Sequence, residues 1–232
     1  MTDKTKPHHI GHRARVKEKF VKSVEKNSAS SLHDYELLEI ILFAASPRGD
    51  VKPLAKDLIA QFGSLALVLS ATITELQQID NLSQGGVVAI KSTQEAAFRL
   101  VGSEIKERTA IQSWKALLSY CRATMSYNKT EQFRIFFLDK KQKIISDEQQ
   151  QQGTVDHTPV YPREVVKRAL ELGASSIILA HNHPSGDPRP SKADVEMTKQ
   201  IMQAAAPLGI MIHDHVIIGG KEHYSFAANG LI

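Results

Sequence analysis

The sequence predicts an α/β (α+β) protein in which a small bundle of helices precedes a mixed-sheet domain. Three observations predict it. From Leu32 to about Leu100 apolar residues recur at helical spacings, from Glu131 onward short strand-like runs alternate with helical ones, and the two textures meet at the polar stretch "SYNKT". At 232 residues and 42% hydrophobic content, the chain has enough apolar side chains to bury a core.

The chain opens with a basic arm, residues 1–30. Residues 1–26 hold eight Lys/Arg against three Asp/Glu, net +5, leaving −1 for the remainder of a chain whose total is +4. The positive charge is therefore local, as a phosphate-binding arm or a solvated helix, "HRARVKEKFVKS", would have it. Such a terminus is too charged for a signal peptide, and no run approaches the ~20 apolar residues of a membrane span. The single cysteine, Cys121, excludes an internal disulfide framework and a Cys-rich zinc finger. A cytoplasmic protein without a membrane segment is expected.

Residues 31–108 form the helical domain. "HDYELLEIILFAA", "VKPLAKDLIAQF", "SLALVLS", "ATITELQQI" and "GGVVAIKSTQEAAFRLV" are its helices, with breaks at Pro47-Arg48-Gly49, Gly63 and Gly85-Gly86. Residues 109–232 form the second domain. It opens with the helix "SWKALLSYCRATM" and continues with strands "FRIFFLD" and "KIISDE" around the turn Lys140-Lys141-Gln142. "QQQGTVDHTPV" reads as a continuation of the sheet or as a polar loop. A helix "PREVVKRALELG" follows, with Pro162 near its start and Gly173 at its end. "SSIILAHNH" is a buried strand, "SKADVEMTKQIMQAAAPLG" a helix, and "IMIHDHVIIGG" with "KEHYSFA" closes the sheet.

Chemistry concentrates in "HNHPSGDPRPSKAD", His181 to Asp194. Side chains alternate along a strand, so His181 and His183 share one face and Asn182 takes the other. "PSGDPRP" reverses the chain, with Asp187 as a turn residue, and Ser191 then fits a helix N-cap with Asp194 at the third helical position. Two His and one carboxylate suit a catalytic zinc, which would also need a general base from elsewhere in the chain. The plain alternative is a capping box beside an incidental H-x-H. The letters H-N-H do not make a nuclease, whose residues spread over a ββα unit. His8, His9, His12 and His157 have no spacing that argues for a site.

The string H-x-H, seven residues, Ser, two residues, Asp resembles the JAMM (MPN+) metalloprotease signature, here His181, His183, Ser191 and Asp194. "GTVDHTPVYPREVVKRALELGASSIILAHNHPSGDPRPSKAD" and "DHVIIGG" look like its RadC-like branch, and the resemblance covers roughly residues 131–232. It implies that His181, His183 and Asp194 hold Zn2+, that a Glu before the first strand, Glu131, is the general acid/base, and that Ser191 stabilises an oxyanion. Glu148 and Glu164 compete for the role of base. In "HDH", Asp214 and His215 are expected to orient a ligand imidazole or to pack.

The helical half resembles the same family's helix-hairpin-helix-like region through "ELLEIILFAASPRGDVKPLAKDLIAQFGSL". At the hairpin, "NLS" (Asn81-Leu82-Ser83) replaces the expected Gly-hydrophobic-Gly, with Gly85-Gly86 displaced beyond it. Two functions from different classes follow. One is a zinc-dependent hydrolase acting on a peptide or isopeptide through a metal-activated water. The other is a DNA-associated repair or recombination factor, whose partner would be nucleic acid. A metal-free scaffold is the third, and the complete ligand set argues against it.

Overall fold

The computed structural model describes residues 11–26, 32–47, 49–107, 109–110, 113–150 and 160–232. Most of "QQQGTVDHTPV", the first part of the basic arm, and His8, His9 and His157 lie outside the described residues. The chain divides into two compact units, Met1–Ala96 and Ala97–Ile232.

In the first unit, α1 (His12–Glu25), α2 (Asp34–Phe43), α3 (Lys52–Phe62), α4 (Leu65–Ser70), α5 (Ile73–Gln77) and the start of α6 (Gln84–Glu107) surround one apolar core. Leu38, Leu42, Leu58, Val68, Leu76 and Ile90 are its buried residues from successive helices. Local sequence sets the short helices. Gly63 ends α3 at φ 95°, where a side chain would be strained, and the Ser64 and Thr72 hydroxyls accept from backbone N–H groups to start α4 and α5. The hairpin between α5 and α6 has Asn81 at φ 63°, the backbone conformation expected of the missing first glycine and one that Asn tolerates better than most residues. Ser83 then takes the capping role, its Oγ accepting from the Gly86 N–H at 3.2 Å. Gly85 and Gly86 thus lie within the first turn of α6 instead of forming the break, because Ser83 supplies the cap before them.

The second unit is a sheet with a helical layer on each face. Its elements are α7 (Trp114–Met125), β1 (Phe133–Leu138), β2 (Ile144–Gln149), α8 (Pro162–Glu171), β3 (Ser176–Asn182), α9 (Lys192–Ala205), β4 (Met211–Gly219) and β5 (Glu222–Ser225). The strand order is β2-β1-β3-β4-β5, antiparallel throughout except for the parallel pair β3 and β4. One sheet face packs Phe133, Ile135, Ile177 and Leu179 against Val165 and Ala169 of α8 and Ile201 of α9. The other packs Phe136, Ile178, Ala180 and Val216 against Leu117, Cys121 and Met125 of α7. β3 is buried along its whole length, which explains its unbroken apolar run.

One irregularity bears on the site. The pairing runs from Ile177 with Ile212 to Ile178 with Asp214, so His213 is an extra residue on β4. That bulge reverses the faces of everything after it. Ile212 and His215 consequently share the α8/α9 face, and Asp214 turns to the other. No helix among the described residues is long and apolar enough to cross a membrane.

Candidate metal centre

His181 lies near the end of β3, His183 directly after it, and Asp194 in the first turn of α9. Their ligand-capable atoms all lie within 4.8 Å of one another. The short turn Pro184–Pro190 brings the helical residue back to the strand end. His183 stays in register because its N–H donates to the Ile218 carbonyl at 2.9 Å.

Hydrogen bonding fixes both imidazole tautomers. The Thr198 hydroxyl donates to the Asp194 carbonyl at 2.6 Å, so its oxygen can only accept from His215 Nδ1, also 2.6 Å away. His215 Nε2 therefore carries a lone pair and accepts from His181 Nδ1 at 2.8 Å. On His183, Nδ1 donates to the Asp187 carbonyl at 2.8 Å. With both rings neutral the remaining nitrogens, His181 Nε2 and His183 Nε2, are lone pairs 3.0 Å apart. Two lone pairs at that distance repel unless a proton on His183 or a metal ion lies between them. The Asp194 carboxylate completes the cluster, with Oδ1 3.4 Å from His181 Nε2 and Oδ2 3.4 Å from His183 Nε2. This donor set, two imidazole nitrogens and a carboxylate with both rings oriented from behind, fits a metal ion.

The electrostatics agree with the geometry. Complete burial pushes His181 down to about 4, with the neighbouring His183 acting in the same direction, so His181 is neutral. Burial likewise holds His215 well below the usual range. Phe133 stacks on His181 at 5.9 Å between ring centres, and Phe226 lies 4.5 Å from His215, which keeps water from the relay. His183 is raised, chiefly by its contact with Asp194. Burial would raise Asp194, but His183, His181 and Ser191 together outweigh it and hold the carboxyl far below its usual value.

Ser191 caps α9. Its Oγ accepts from the Asp194 N–H at 3.2 Å, and its hydroxyl proton goes to Asp194 Oδ2 at 2.7 Å. The Ser191 N–H also donates to that oxygen at 2.7 Å, so one capping box orients the third member of the cluster. Glu131 precedes β1, and its charge contributes to raising His183. Glu148 is engaged by Arg168 at 2.7 Å, and Glu164 pairs with Arg163 at 3.0 Å. Asp214, on the far face, accepts from the Ser225 hydroxyl and from the N–H groups of His215 and Ala227.

Sequence reasoning did not single out Thr198 or Gly219. Thr198 lies one helical turn after Asp194, and that spacing was the available signal. At Gly219 a Cβ would come within 2.5 Å of the Pro188 nitrogen and 2.6 Å of the Gly186 carbonyl, so only glycine lets the turn between His183 and Asp194 lie against β4.

Comparison with known proteins agrees with this architecture. The profile of the RadC-like JAB domain matches residues 111–231. The chain belongs to the RadC-like family. Among RadC-like relatives, a UPF0758 protein of Rhodobacter capsulatus is 53% identical over 204 residues, covering 88% of this chain and 95% of its own length. A second UPF0758 protein, from Ruegeria pomeroyi, is 48% identical over 221 residues, covering 95% and 97%. The RadC-like fold is thus a set of N-terminal helices followed by a JAB/MPN-like sheet domain, and its His181/His183/Asp194 group could hold a metal ion.

Proposed function

We propose that the protein is a zinc-dependent hydrolase of peptide or isopeptide bonds, with His181, His183 and Asp194 as metal ligands, Glu131 as general acid/base and Ser191 as oxyanion donor. The observation that carries this reading is the pair of imidazole Nε2 atoms converging beside a carboxylate, each ring fixed by a hydrogen bond from behind. When bound, zinc supplies Lewis acidity, polarising a carbonyl and making water nucleophilic near neutral pH.

The chain's own residues do the rest. Glu131 takes a proton from the attacking water and returns it to the leaving amine. His215 and Thr198 keep the His181 proton on Nδ1, away from the metal side. Ser191 has one hydroxyl proton, currently given to Asp194, and must rotate it toward the oxyanion as charge develops there. That rotation keeps the Ser191 N–H on Asp194, so the ligand stays oriented.

Metal analysis of the purified protein beside His183→Ala, followed by a proteomic cleavage screen, tests the reading. One zinc per wild-type chain, absent from the variant, is expected, and a wild type without zinc refutes it. Glu131→Gln should keep zinc and lose hydrolysis by at least about a hundredfold, as loss of a general base does. Turnover retained in that variant removes Glu131 from the mechanism.

A further inference from the structure

We propose that Asn182, the residue between the two histidines, is a positioning residue for Glu131, an inference that rests on the reading of Glu131 given above. Its side chain lies on the sheet face opposite the imidazoles and is 1% exposed. Its Oδ1 accepts from the Gln132 N–H at 2.9 Å. Its Nδ2 donates to the Thr130 carbonyl at 3.2 Å and the Asn128 carbonyl at 3.4 Å. Those contacts straddle Glu131, gripping the backbone on both sides of it.

The grip is needed because the sheet does not reach that far. The β1 and β3 ladder begins with Phe133 opposite His181, and residues 128–132 precede it. The carboxylate is therefore carried by a segment outside the strand. Asn128 adds a second tie, its Nδ2 donating to Gln132 Oε1 at 2.7 Å and to the Thr124 carbonyl at the end of α7 at 3.0 Å. An amide is the short side chain that offers an acceptor and two donors in one plane. Aspartate would set a negative charge against two carbonyls, and alanine would strand buried backbone groups. With His181, Asn182 and His183 consecutive, one strand end serves both sides of the sheet. The ligands face one way, and the anchor that sets the position of the base faces the other.

The test uses the zinc-loaded full chain with acetohydroxamate as probe, a metal-binding acid whose N–OH proton needs an acceptor beside the metal. Affinity is measured by calorimetry for wild type, Glu131→Gln, Asn182→Ala and the double variant, with zinc content as control. Each single change is expected to weaken binding about tenfold, and the double change by about the same tenfold, because Asn182 acts through Glu131. A multiplicative loss of about a hundredfold, or wild-type affinity in Asn182→Ala, overturns the positioning role and leaves the proposed function intact. A wild type without zinc, or a Glu131→Gln variant that binds like wild type, overturns the underlying reading and this inference with it. Should Asn182→Ala fail to fold, Asn182→Asp takes its place, and exchange of the Gln132 amide in wild type decides independently. Protection is expected, and free exchange overturns the proposal.

Discussion

Thr198 shows how far the site extends behind its ligands. Its hydroxyl can donate only once, to the Asp194 carbonyl, and this one constraint passes through His215 to decide which nitrogen of His181 is bare. Thr198→Val keeps the shape and removes the constraint. Zinc affinity, measured by competition with a chelator, should fall about tenfold or more, as loss of an outer hydrogen bond usually costs. Unchanged affinity would show that the relay does not fix the tautomer. His181 and His183 could be read from the sequence because a strand alternates with period two. For Thr198 the spacing from Asp194 was a signal, but its action on a residue seventeen positions away was not legible.

The elements contribute what no residue pattern could reveal. Simple alternation from Ile212 would put Asp214 on the α8/α9 face and His215 away from it, and the extra residue His213 inverts this. The pairing partner decides where a bulge falls, and a single strand does not announce its partner. Gly219 belongs to the same scale. Gly219→Ala should force the Gly186–Pro188 turn outward, draw the Asp187 carbonyl from His183, weaken zinc binding, and cost about 1–3 kcal/mol on thermal unfolding. A variant with wild-type melting and zinc affinity would mean the turn yields without consequence.

The basic helix α1 shows the reverse, a charge pattern of which Arg13 and Lys19 are engaged within the fold. Arg13 donates to the carbonyls of Ser46, Pro47 and Gly49 and lies 4.3 Å from the Phe43 ring centre, while Lys19 pairs with Glu36 at 2.6 Å. Arg13→Ala should therefore lower stability by about 1 kcal/mol in denaturant titration and leave duplex-DNA binding unaltered. Duplex binding that weakens steeply with salt, and less steeply in the variant, would instead favour the DNA-associated reading.

At the scale of the whole molecule, the proposed metal binding would be linked to folding. Zinc held by the native cluster alone should raise the melting temperature, a hundredfold excess over Kd adding about 2.7 kcal/mol. The gain should vanish in His183→Ala. It should also depend on pH with a definite sign. His183 is raised by Asp194, so zinc competes with a proton there, and the stabilisation is present above the His183 range and lost as pH falls through it. His181, pushed down to about 4, does not compete until well below that. A zinc-induced rise in melting temperature that is flat between pH 8 and 5 would contradict the assignment. The order of helices and strands was legible from periodicity, because the apolar stripe of each helix and the fully buried β3 follow directly from what they pack against. The strand order, which sets β4 beside β3 and brings His215 behind His181, was not.

That strand order also decides how far apart in the chain the parts of the site lie. The three residues proposed as ligands lie within one stretch of fourteen residues, a short loop to close, while the groups that orient His181 come from β4 and α9. The carboxylate proposed to drive hydrolysis joins them across a separation of about fifty residues, and only when β1 docks beside β3. On the proposed mechanism the docking of β1 beside β3 is what brings the base to the cluster, so a chain with that edge undone would lack its base.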